Sequence, residues 1–96
     1  MTGLYVRIER DHRWQSLEIE TLTDAELETF TRGQPVEKGW PWAIALAEWI
    51  HTHVEGVEEW TVADVVRTST LAPAASGWQG VRLLVGYIRH HVVAHD

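Results

Sequence analysis

Two short runs, LYVRIER and RWQSLEIE, alternate apolar and polar residues with period two and are separated by Asp11 and His12 alone. That arrangement predicts an antiparallel β-hairpin at the start of the chain, over residues 1–21. A two-residue loop pairs Arg10 with Arg13, and the same register then pairs Ile8 with Gln15, Val6 with Leu17 and Leu4 with Ile19. Leu4, Val6, Ile8, Leu17 and Ile19 fall on one face. Tyr5, Arg7, Glu9, Trp14, Ser16 and Glu18 fall on the other, the pattern of a sheet covered on one side. A slip of one residue would turn every apolar side chain to water, so this stretch fixes its own pairing and demands a body to pack against. Asp-His lacks the glycine that tolerates positive φ in a two-residue turn, so a longer tip with the same register is the alternative to the two-residue loop.

The remainder, residues 22–96, carries helical signals. In LTDAEL, Thr23 can cap a helix while Glu26 reaches back to it, with Leu22 packing on Leu27 as a staple, and the helix is expected from about Asp24 to Thr31. In WTVADV the same offsets recur at Trp60, Thr61, Asp64 and Val65, and predict a helix to about Thr70. Ser76 and Gln79 form a third capping box, opening a helix that can continue to about His95. Between these, a helix is expected to begin at Pro41, where a missing amide hydrogen is harmless, and to stop before Gly56. With no internal repeat and no long linker, the fold class is α+β: one domain over 1–96, a hairpin on about four helices.

The stretch EKGWPWAIALAEWIHTHVEG concentrates tryptophan and histidine. At about 100° per residue, Trp42, Ala45, Leu46, Trp49, Ile50 and His53 share a sector flanked by Ala43 and Val54, opposite Glu48, His51 and Glu55. Core packing is therefore the expected role of Trp42 and Trp49, ahead of an aromatic cage. His51 and His53 lie on opposite sides and cannot chelate one ion. On the last helix, Trp78, Val81, Leu84, Val85, Ile88 and Val92 form one apolar stripe, and Leu83, Tyr87 and Ala94 a second. That helix is expected to be central, with only the stripe of Arg82, Gly86, Arg89 and Val93 facing solvent. His91 and His95 have the spacing of two helical metal ligands, but no third ligand is nominated, and no metal or other cofactor is expected.

Net charge of −6 is uneven. Residues 1–32 carry −3, residues 33–60 carry −4 and residues 61–96 carry +1. The acidic surface with the fewest bases nearby comprises Glu48, Glu55, Glu58 and Glu59, and it is expected to meet another protein with a basic surface. The free edge of a two-stranded sheet offers a second contact, by pairing with a second copy or a peptide strand. The absence of cysteine rules out disulfides, no run approaches the ~20 apolar residues of a membrane span, and MTGLYVRIER places charge where a signal peptide needs an apolar stretch. A cytoplasmic location is expected. No nucleophile elbow, phosphate-cradling loop or paired catalytic carboxylate is present, so an enzyme is not expected.

The segment TVADVVRTSTLAPAASGWQGVRLLVGYI resembles a helix-turn-helix: a short capped helix, a connection containing Pro73, and a longer helix whose first turns carry Gln79 and Arg82. The resemblance implies a DNA-binding regulator, with Gln79 and Arg82 reading bases and Arg67 and Arg89 supporting contact to the phosphates. The segment departs from the pattern in its long LAPAA turn, in Gly77 and Gly80 at the reading end, and in the scarcity of basic residues, so the balance counts against nucleic acid. Arginine outnumbers lysine seven to one, and alanine, valine, glycine and tryptophan are plentiful, as in GC-rich bacterial or phage genomes. Small acidic single-domain chains of this kind are similar as a class to phage and mobile-element accessory, regulatory and anti-defence inhibitor proteins, including anti-CRISPR proteins, although no motif is shared. The expected function is that of a non-catalytic protein-binding module.

Overall fold

The structure, a computed structural model, describes residues 1–54 and 77–91. Strands β1 (Tyr5–Arg10) and β2 (Arg13–Glu18) form an antiparallel hairpin in the expected register, from Arg10 opposite Arg13 to Tyr5 opposite Glu18. The tip takes the two-residue form and not the longer alternative. Asp11 and His12 alone make the turn, with φ of 55° and 64°, the left-handed pair that a tight hairpin of this hand requires. Asp tolerates this region better than most residues; His12 is held there because the register on either side leaves no alternative. Beyond β2 the Ile19 amide donates to the Leu4 carbonyl at 2.9 Å, extending the ladder, and Ile19–Thr21 closes into a 3₁₀ turn.

Helix α1 (Asp24–Arg32) has the expected capping box: the Thr23 side chain accepts from the Glu26 amide, and Glu26 accepts from the Thr23 amide at 2.9 Å. Arg10 of β1 reaches the same carboxylate, its Nε donating at 2.9 Å, so the helix N-terminus is tied to the hairpin. Leu22 and Leu27 are both buried, as the staple requires.

Helix α2 spans Val36–His53, beginning five residues before the expected start at Pro41. Pro41 sits inside the helix, where it lacks the amide hydrogen that would bond the Glu37 carbonyl. Tertiary contacts hold the extra turn: Trp78 Nε1 donates to the Pro35 carbonyl at 3.0 Å, and Gly39 lies against Gly77. Helix α3 is described over Gly77–His91. The expected helix over 61–70 and the expected cap Ser76 lie outside the described residues, among which there are three α-helices.

α2 and α3 make the most extensive helix pair among the described elements. Their closest approach is backbone on backbone. A Cβ on Gly39 would lie 2.6 Å from the Trp78 amide nitrogen, and one on Gly77 would lie 2.5 Å from that of Trp40. Gly39, Ala43 and Ala47 recur every fourth residue and are all buried, so the seam of α2 is a stripe of small residues with Leu46 and Ile50 beside it. This rotates the buried sector by roughly a quarter turn from the expected one. Trp42 and Trp49 are half-buried flanks rather than core, and His53, placed inside by the sequence pattern, is exposed. Small residues win the seam because they let two helices approach until their backbones touch, and the large rings then cover the sides. Phe30 meets Trp78 edge-on at 5.2 Å and Trp42 at 6.2 Å on one such side.

The core joins Val6, Ile8, Ile19, Leu22 and Leu27 to Ala43, Leu46, Ile50 and the stripe Trp78, Val81, Leu84, Val85 and Ile88. Every described member of the expected first stripe of α3 is buried. The second stripe fares differently: Leu83 is 69% exposed and Tyr87 half-buried. Among the described residues no helix is long and apolar enough to cross a membrane.

Candidate functional site

The hairpin presents one covered face and one open one. Across the open face run the pairs Tyr5 with Glu18, Arg7 with Ser16 and Glu9 with Trp14. Trp14 is 63% exposed and Tyr5 51%, the two rings standing at opposite ends of the strip. Period-two alternation had already assigned these residues outward, so this surface was legible in the sequence. Of the described arginines, Arg10, Arg32, Arg82 and Arg89 are engaged by side chains or carbonyls of the same chain, whereas Arg7 and Arg13, both in the hairpin, have no partner among the described residues.

At the base of this face two carboxyl groups meet. Glu20 is buried and accepts from the hydroxyl and, at 3.3 Å, the amide of Thr2. Glu18 accepts from the Tyr5 hydroxyl at 3.4 Å. The hydrogen bond to Glu20 raises the pKa of Glu18, with burial and the like charge adding to it. Burial opposes ionisation of Glu20, but the hydrogen bonds from Glu18 and Thr2 outweigh it and its pKa lies below the ordinary value. The two carboxyl groups are thus shifted in opposite directions, and the Thr2–Glu20 hydrogen bonds fasten the N-terminal segment to the 3₁₀ turn. Sequence spacing gave no signal for it, because Thr2 meets Glu20 only through the hairpin fold.

Of the expected acidic surface, Glu48 is exposed on α2, on the side away from the glycine–alanine seam; Glu55, Glu58 and Glu59 lie outside the described residues. Of the residues that the helix-turn-helix resemblance selects, Arg67 also lies outside them. Gln79 is exposed in the first turn of α3 and interacts within the chain. Of the expected solvent-facing stripe, Arg82 and Gly86 are exposed, Arg89 is half-buried and Val93 lies outside the described residues; both guanidinium groups nonetheless reach back to α1 and the 3₁₀ turn. Arg82 Nε donates to the Thr31 hydroxyl at 3.1 Å. Arg89 Nε donates to the Glu20 carbonyl at 3.1 Å and its Nη1 to Asp24 at 2.6 Å, while its Nη2 is buried without a partner among the described residues.

His53 and His91 lie against neighbouring rings. His53 stacks on Trp49 at 4.5 Å and 13°, with Nδ1 2.9 Å from the Trp49 carbonyl, and His91 lies 4.2 Å from Tyr87. His95 lies outside the described residues. Among the described residues there is no group of three or more potential ligands that could hold a metal ion. Comparison with protein-family models, with curated proteins and with solved structures found no match.

Proposed function

We propose that the protein is a non-catalytic binding module that engages another protein through the open face of its hairpin, steered toward a basic partner by its net negative charge. The exposed Trp14 and Tyr5, displayed on a rigid sheet with an unengaged Arg7 between them, carry this reading. Tryptophan, tyrosine and arginine supply most binding energy at protein interfaces, and a sheet holds them without the entropy cost of a loop. The net charge of −6 favours approach to a basic surface, in which Glu48, with Glu55, Glu58 and Glu59, takes part. The commitment of Arg82 and Arg89 to α1 and the 3₁₀ turn also supports a protein partner over DNA, since those guanidinium groups already serve the fold.

Capture from an extract of the source cell tests the reading. Wild-type protein should retain a discrete partner, and Trp14→Ala combined with Tyr5→Ala should lose it while the circular dichroism spectrum is unchanged. Reversing Glu48, Glu55, Glu58 and Glu59 to lysine should slow association at low salt and much less at high salt. A partner retained equally by all of these variants would remove both surfaces from consideration.

A further inference from the structure

The second hairpin feature left unused by the fold is the outer edge of β1. In a hairpin closed by a two-residue loop the closing pair, Arg10 and Arg13, is the hydrogen-bonded one, and bonded pairs then alternate along the ladder. Ile8 and Val6 therefore point their amide and carbonyl groups at β2, and the Leu4 carbonyl accepts from the Ile19 amide while the Leu4 amide donates to the Thr2 hydroxyl. Tyr5, Arg7 and Glu9 point theirs the other way. The sheet has only these two strands, and none of those outward backbone groups has a hydrogen-bond partner among the described residues.

We propose that two copies of this chain pair through their β1 edges, antiparallel and centred on Ile8, to make one continuous sheet. The charge pattern selects both the occupant and the register. Centred on Ile8, Arg7 of each copy faces Glu9 of the other, Tyr5 faces Asp11, and the two Ile8 side chains meet on the covered face. Centred on Arg7, arginine faces arginine; centred on Glu9, glutamate faces glutamate. Directly opposed like charges on neighbouring strands are unfavourable, so of these three registers the one on Ile8 is self-complementary. A two-fold interface requires a patch to complement itself, and alternating charges at a spacing of two do so. YVRIER carries no lysine, proline or bulge, and the charges on its outward positions, Arg7 and Glu9, alternate in sign, so they oppose pairing in the like-charge registers and favour it in this one. Neither Arg7 nor Glu9 forms an ion pair within the chain among the described residues, although both are exposed. Tyr5 and Arg7 belong to both proposals, and Trp14, which stands on β2 away from the β1 edge, belongs to partner binding alone.

Sedimentation equilibrium over a concentration range from about 1 μM to about 1 mM tests it. Wild-type protein should show a reversible monomer–dimer equilibrium. Arg7→Glu and Glu9→Arg should each weaken it roughly tenfold, since either change confronts like charges twice across the two-fold axis. The combined swap should restore the wild-type constant. Arg7→Pro removes an outward amide without touching the bonds between β1 and β2, and should abolish the dimer while the hairpin persists. Trp14→Ala should leave the dimer unchanged, which separates this result from any loss of partner capture. A protein monomeric throughout the range, or a dimer indifferent to the single reversals or not rescued by the swap, overturns the proposal.

Discussion

His12 occupies φ of 64° without the freedom of glycine, and it does so because the strands on either side are already in register. A β-carbon in the left-handed region costs on the order of 1 kcal/mol. His12→Gly should therefore raise stability by roughly 0.5–1 kcal/mol, some of the relief being offset by the greater unfolded-state freedom of glycine. A urea midpoint that rises at constant slope is the expected observation. Glu26 is strongly perturbed. The hydrogen bond from Arg10, then the Thr23 amide, lowers its pKa from 4.5 to about 2. Its folded pKa lies below the unfolded one, so its contribution is complete above about pH 4.5 and is lost as pH falls toward about 2. Thermal unfolding of wild type should show a fall in midpoint across that window, and Glu26→Gln should flatten it while lowering the midpoint near neutral pH. A profile with the same slope in both proteins would show that other carboxylates set the acid limit.

Among elements, the α2–α3 pair is decided by glycine. Gly39→Ala or Gly77→Ala forces a β-carbon to within 2.6 Å or 2.5 Å of the facing backbone, which can yield only by moving a helix. A cost of about 1–3 kcal/mol is expected for either, despite the better helix propensity of alanine. Gly86 is the control. It is in the same helix α3 with nothing within 4 Å of an added Cβ, so Gly86→Ala should stabilise by roughly 1 kcal/mol through propensity alone. Chemical denaturation of the three variants reads the contrast directly, and equal effects would mean that the helices do not cross where the glycines meet. The same crossing explains why α2 starts before Pro41. Its first turns are anchored by Gly77 and by the Trp78 indole, contacts from a distant part of the chain that outweigh one missing backbone bond.

At the scale of the whole molecule, Arg89 fastens the last described helix to the turn that ends the hairpin. It links Glu20 and Asp24 to a residue more than sixty positions later. Arg89→Ala should cost about 1–3 kcal/mol by leaving the Glu20 carbonyl unsatisfied, and Arg89→Lys should not restore it, since an ammonium cannot span the carbonyl and the carboxylate as the planar fork does. Thermal midpoints of the two variants that differ by as much as either differs from wild type would contradict that account. The alternation in residues 4–19 determined the hairpin, its register and its open face, because period two leaves a single arrangement that turns Leu4, Val6, Ile8, Leu17 and Ile19 to the covered face, where Val6, Ile8 and Ile19 are buried and Leu4 and Leu17 half-buried. The Thr23–Glu26 capping box and the apolar stripe of α3 were legible for the same reason: each depends on side chains within a few residues of one another. The sector that α2 buries, the start of that helix, and the posts of Arg82 and Arg89 were not. Those depend on how closely two distant segments approach, which the glycines permit without announcing, and a long cation reads as surface until the fold brings a carbonyl or hydroxyl within its reach.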